Sequence, residues 1–320
     1  MPGAGLASNS MKQPPEIERI RDAAGVLDGP FRGVEAIRLG LLTRAQLYGP
    51  RFRRVFPDVY VSAGQELDLA TRSRAAYLLV ADRGGVLAGY SAATLLGAGC
   101  SPARAPAEVL VGHDVRRHPG LLVRRGSATG EDVRDVAGCR VTSPLRTAWD
   151  LARRLPLVQA VAAVDALARC GGFAPTDLIT RRAAGPRARG SRCLDRVVEL
   201  ADPRAESVME SQLRLLLVLA GLPAPEVQYP VVDPYGFVIA RLDLAYPAAM
   251  LAITYDGGQH FTDRRSRADR RRDLDVADLG WLTLRFTYDD VDGNPPQTPH
   301  RVRTMLESRL PASSSTAVRF

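Results

Sequence analysis

Residues 238–256 read VIARLDLAYPAAMLAITYD, and the reading of this stretch decides the fold of the C-terminal third. Apolar runs of this length, rich in Val, Ile, Leu and Tyr and bounded by turn residues, are strands. VIARLDLAY (238–246) is one strand, YPAAM turns the chain, and LAITYD (251–256) is the second. Each strand carries an acid. Asp243 sits between Leu242 and Leu244, where a carboxylate needs a partner or a task to offset its burial. Arg241 shares its face, and Asp256 shares a face with Thr254, because strand side chains alternate with period two. A hairpin of the two strands brings Asp243 and Asp256 close together. Asp256 also opens DGGQHFTD, which reads equally well as a plain turn.

Working outward, SVMESQLRLLLVLAGLP (207–223) is a helix ending at Gly221, a C-cap glycine. Glu210 shares its inward face with Leu213 and Leu217. It is also the third helical position of a Ser207-x-x-Glu210 capping box, which is a purely structural role. Downstream, a basic helix from about Arg264 to Leu279 stops at Gly280. WLTLRFTYDD (281–290) is a third strand, and Pro299 opens the last helix. The run DRRSRADRRRD (263–273) holds six Arg and three Asp; it is a phosphate-gripping helix, with Arg264, Arg267 and Arg271 as contacts, or a solvated face. His260 is open between general base, metal ligand and a loop residue facing water. Gathered carboxylates can hold a divalent ion that activates water beside a phosphodiester. The candidate catalytic set is therefore Glu210, Asp243, Asp256 and His260, the three acids being the metal ligands and Mg²⁺ (or Mn²⁺) the cofactor.

Toward the N-terminus, residues 1–14 read as a disordered tail and Glu16–Val26 as helical. Thr43 is a plausible N-cap for a short helix, and RFRRVFPDVYVSAG (51–64) reads as a strand pair or wing around Pro57-Asp58. It presents Arg51, Arg53 and Arg54. Residues 67–179 form a small α/β domain: helices from Asp68 and Ser91, strands in AEVLVG, GLLVRRG and GCRVT, and a helix N-capped by Ser143-Pro144 opening an α-rich closing stretch. Residues 180–205 are a basic connector, 206–310 the C-terminal domain and 311–320 a tail. The fold class expected is α/β, of the α+β multidomain kind.

Formal charge is +8, and Lys12 is the single lysine among 43 basic residues. That excess of positive charge favours a polyanionic partner such as DNA. The four cysteines form no CxxC pair and no spacing suited to zinc. No apolar leader and no stretch long enough to span a bilayer is present, so the expectation is a cytoplasmic protein without membrane contact.

Taken together, S-x-x-E, R-x-D-L, D-G-x-x-H-F, R-R-D and G-W-x-x-x-R in residues 206–310 resemble the endonuclease-like domains related to very-short-patch-repair endonucleases, within the restriction-endonuclease-like superfamily. The resemblance implies a mixed sheet flanked by helices and a Mg²⁺ site at Glu210, Asp243 and Asp256. His260 corresponds to the loop histidine, and Asp273 and Arg285 to the polar positions after it. Thr254 stands where relatives carry Glu, and the superfamily's lysine is missing. The N-terminal two thirds resemble AbiE-type abortive-infection antitoxins through LLTRAQL…RRVFPDVYV, VLAGYSAATLLGA and VTSPLRTAWDLA. That implies a winged helix, here with little room for a recognition helix, followed by a small α/β domain. Two functions follow as expectations: a metal-dependent DNA endonuclease or nicking enzyme, or a DNA-binding, antitoxin-like regulator whose nuclease fold is inactive.

Overall fold

The computed structural model describes residues 27–184, 190–257, 263–293 and 295–310. Both tails, the Glu16–Val26 segment and His260 lie outside the described residues. In chain order, Phe31–Arg32 (β1) leads into helices Gly33–Arg38 (α1) and Arg44–Leu47 (α2) and a hairpin of Phe52–Phe56 (β2) and Val59–Ser62 (β3). Leu69–Val80 (α3), Val86–Leu87 (β4) and Gly89–Leu95 (α4) follow, then Ala107–Val111 (β5), Leu121–Arg125 (β6), Val133–Val136 (β7) and Cys139–Thr142 (β8). Five helices come next: Pro144–Ala152 (α5), Leu157–Gly171 (α6), Asp177–Ala184 (α7), Leu194–Leu200 (α8) and Val208–Leu219 (α9). The chain closes with Glu226–Val232 (β9), Val238–Tyr246 (β10), Leu251–Tyr255 (β11), Asp263–Asp278 (α10), Leu282–Phe286 (β12) and Gln297–Arg309 (α11). The multidomain α+β class is what the structure shows. No described helix is long and apolar enough to cross a membrane.

Contacts divide the chain into two compact units, Met1–Leu87 with Ala103–Thr129 and Asp135–Val141, and Ala88–Pro102 with Gly130–Arg134 and Thr142–Phe320. The first carries a three-stranded sheet in the order β1-β3-β2, the arrangement of a wing folded back on a short first strand. Its core is Phe31, Ala36, Leu42, Leu47 and Tyr60. Thr43 caps α2 as its sequence position suggests: Thr43 Oγ1 accepts the Gln46 N–H at 3.2 Å, and Gln46 Oε1 accepts the Thr43 N–H at 2.8 Å. Helix α2 is only four residues long, and no helix lies between it and β2. Gly33 is required by packing, since a Cβ there would lie 2.7 Å from both Leu47 and Tyr60 side chains.

In the second unit, a four-stranded sheet has the order β12-β11-β10-β9, antiparallel except for the parallel pair β11–β12. The sequence reading saw three of these strands and missed β9. Its EVQYPVV is interrupted by Pro230, and proline is confined to edge strands, which is where β9 lies. Leu244, Leu251, Ile253 and Phe286 face α9 and α11 through Leu213, Leu217, Val302 and Leu306. The opposite face packs Ala245, Ala252 and Trp281 against Val276 of α10. Within the segment read as a connector, 194–200 form α8, whose Leu194, Val197 and Leu200 are buried in a helical core with α5 and α6.

Helix α9 serves both cores. Leu215 belongs to the helical core and Leu213 and Leu217 to the sheet core. An ion pair fixes its rotation: Arg214 Nη2 donates to Asp165 Oδ2 of α6 at 2.9 Å, and Ser211 Oγ donates to the same oxygen at 2.8 Å. The Asp202 N–H donates to Asp165 Oδ1 at 2.7 Å, and Arg214 Nη1 donates to the Leu200 carbonyl at 2.8 Å. Both charged side chains are withdrawn from water. Truncating one partner leaves the other charge buried alone, so Arg214→Met is expected to cost about 3–5 kcal/mol. The shift of the urea midpoint measures this; a loss below about 1 kcal/mol would mean the pair does not hold the two helices together.

Candidate functional site

The site begins at the first turn of α9. Ser207 Oγ accepts the Glu210 N–H at 3.1 Å, which is one half of the capping box. The other half is diverted: Glu210 Oε2 accepts the N–H of Glu206 at 2.9 Å and Nε2–H of Gln228 at 3.1 Å. Glu210 thus caps its helix and points inward at once, and it is buried. Gln228 lies in β9 between the pairs Leu242–Tyr229 and Leu244–Val227, opposite Asp243. Its φ is +56°, a left-handed conformation rare for a residue with a long side chain. Such a residue costs on the order of 1–3 kcal/mol and persists where its surroundings demand it; here it is the residue that reaches Glu210.

Across the next ladder, Leu244 pairs with Ile253, so Thr254 stands opposite Asp243. Its hydroxyl donates to Asp243 Oδ2 at 2.5 Å. Burial pushes the Asp243 carboxyl above the ordinary range, against the pull of the Thr254 and Tyr255 hydrogen bonds and of Arg285. Burial likewise raises Glu210, and the nearby negative charge of Asp243 adds to the rise. Each carboxyl has an oxygen engaged by a protein donor, and the charge of Asp243 reaches Glu210. Asp243 and Thr254 open onto a cleft of about 200 Å³, also lined by Arg241, Arg272, Asp273 and Arg285. Asp273 and Arg285 form an ion pair across it.

The remaining candidates are more dispersed. Asp256 is exposed just past β11, its N–H bonded to the Phe286 carbonyl at 2.7 Å. Arg271 is exposed on α10; Arg264 and Arg267 belong to the same helix, with side chains outside the described residues. Arg53 and Arg54 on β2, and Arg51 just before it, are exposed. The Arg51 guanidinium lies 5.9 Å from the Phe52 ring centroid, and Arg53 donates to the Gln65 carbonyl. Among the described residues, no three His, Cys, Asp or Glu side chains are placed to hold a metal ion. The donor set there is two carboxylates, fewer than a protein-built metal centre uses. Sequence reasoning missed Gln228 altogether, and no residue pattern announces a left-handed glutamine. It also missed Thr254 as the hydroxyl partner of Asp243, although two-residue periodicity on β10 and β11 could have suggested it.

Because both carboxyls are raised in the folded protein, the unfolded chain releases their protons first, starting near the ordinary values of 3.8 and 4.5. Their contribution to stability is therefore present at low pH and lost as pH rises through the raised folded values. Asp243→Asn is expected to shrink the loss of urea resistance between about pH 4 and about pH 7 relative to the unaltered protein. Equal pH slopes in both proteins would show that Asp243 is not held protonated by the fold.

Residues 88–203 match the AbiEi antitoxin C-terminal domain. This bears on the antitoxin-like resemblance and not on residues 206–310. No solved structure matches the chain significantly. Two relatives from Mycobacterium tuberculosis, uncharacterized protein Rv2248 (strain H37Rv) and uncharacterized protein MT2308 (strain CDC 1551), are each 31% identical over 257 residues, covering 79% of this chain and 92% of the relative. The chain belongs to the family of these mycobacterial proteins and carries at residues 88–203 an AbiEi antitoxin-like domain.

Proposed function

We propose that the protein is an antitoxin-like DNA-binding regulator. The observation that carries this reading is the wing-type sheet β1-β3-β2, with Arg53 and Arg54 exposed on its outer strand and Arg51 exposed just before it, in a chain whose residues 88–203 match an antitoxin domain. A four-residue α2 is too short to lie along a major groove, so the wing contributes phosphate contacts that position rather than specify. The charge of +8 supports the same partner. Under this reading Glu210 and Asp243 shape the fold around α9 and catalyse nothing. Binding to duplex DNA, followed by fluorescence anisotropy, should weaken steeply with salt. Arg51→Ala and Arg54→Ala should each reduce the slope of log affinity against log salt by about 1. Failure to bind DNA at low salt defeats the reading.

A second reading, a metal-dependent DNA endonuclease, rests on the buried carboxyl of Glu210, which feels the charge of Asp243, and on the arginine-lined cleft onto which Asp243 opens. Asp256 would have to join them as ligand of Mg²⁺ or Mn²⁺, with His260 assisting. Cleavage of plasmid or duplex DNA that depends on either ion and disappears in Asp243→Asn would establish it. Intact DNA after prolonged incubation with both ions, in a preparation that binds DNA, leaves the regulator alone.

A further inference from the structure

The tip of the β9–β10 hairpin is the most conspicuous apolar feature of the described surface. Tyr235 is 86% exposed, Phe237 70% and Val238 62%, with Val232 half exposed beside them. Single exposed apolar residues are ordinary, but a cluster within one turn marks a contact surface. The tip is also held stiffly. Asp233 Oδ1 accepts the N–H groups of Tyr235 at 2.9 Å and Phe237 at 2.8 Å. The Asp233 N–H donates to the Phe237 carbonyl at 2.9 Å, and the Gly236 N–H to the Asp233 carbonyl at 3.0 Å. Gly236 turns the chain at φ +88°. Two aromatic side chains are thus carried on a backbone that needs little further ordering when it binds.

Strand register places this tip. Leu244 pairs with Ile253 in antiparallel fashion, so the start of β10 projects past Tyr255, the last residue of β11. Helix α10 begins on that same side, because it follows β11 and returns the chain to Leu282, which pairs with Leu251. The tip and the start of α10 therefore share one end of the sheet. Arg270, Arg271 and Arg272 are exposed midway along that helix. Arg241, also exposed, stands on β10 between the tip and Asp243, and it lines the cleft with Arg272. Flat rings carried on the same sheet as exposed arginines fit a polyanion whose bases are accessible: rings stack on bases while arginines hold phosphates.

We propose that the β9–β10 tip is a stacking wedge for unpaired DNA bases, with Arg241 and the α10 arginines holding the flanking phosphates. The proposal rests on the DNA-binding reading and adds that the recognised DNA carries an unpaired or extruded base. The full chain is titrated by fluorescence anisotropy against a single strand, its duplex, and that duplex with a one-base bulge. The single strand and the bulge should bind more tightly than the plain duplex. Tyr235→Ser with Phe237→Ser should weaken those two about tenfold and leave the duplex unchanged. Tyr235→Trp should keep the preference and add a fluorescence quench on binding that the unaltered protein lacks. The tip is exposed, so unchanged melting temperatures confirm that the variants fold. A double serine variant that retains the preference overturns the wedge while leaving DNA binding in place. No binding to any of the three DNAs overturns both. A self-association that the double variant abolishes, with DNA affinities unchanged, reassigns the tip to a second copy of the chain.

Discussion

A carboxylate withdrawn from water between two helices sets the geometry of the larger unit. Asp165 on α6 is costly to bury, and it is tolerated because Arg214, Ser211 and the Asp202 N–H all donate to it. Ser211 and Arg214 lie one and four residues beyond Glu210, so the contacts that satisfy Asp165 also fix the rotation of α9. That rotation turns Leu213 and Leu217 to the sheet and Leu215 to the helical core. It also turns Glu210 toward Gln228 and Asp243. Glu210 thus inherits its placement from an ion pair made one turn further along the same helix.

The acids Asp243 and Glu210 are themselves held by protein donors. Thr254 supplies a hydroxyl to Asp243 where the endonuclease-like pattern has a carboxylate, and Gln228 supplies an amide to Glu210. A strained glutamine backbone sustained for one hydrogen bond indicates that the fold gains from holding Glu210 in place. Such a gain is compatible with structural duty alone.

Much of the architecture was legible because period-two and helical patterns are local. The β10–β11 hairpin, the Thr43 and Ser143 caps and the inward direction of Glu210 follow from residue order alone. What escaped was decided by partners distant in sequence. β9 contains a proline and shows its strand character only against β10. The segment holding α8 is rich in arginine at its start, yet its Leu194, Val197 and Leu200 find a core offered by α5 and α6. Glu210 was readable as cap or as site residue, and the structure makes it an acceptor for the Glu206 N–H that itself feels the charge of Asp243. Register, which pairs position 243 with 254, settles which side chain reaches Asp243, and composition carries no trace of it.

The proline that hid β9 also governs how this protein behaves in company. A bare outer strand is a template on which neighbouring chains can continue a sheet, and crowded solutions exploit it. Pro230 removes one amide donor in mid-strand and pairs inward with Arg241, an exposed cation. A foreign strand laid along this margin would meet a missing rung and a nearby charge. The margin is thereby a poorer template for a foreign strand than an uninterrupted edge would be.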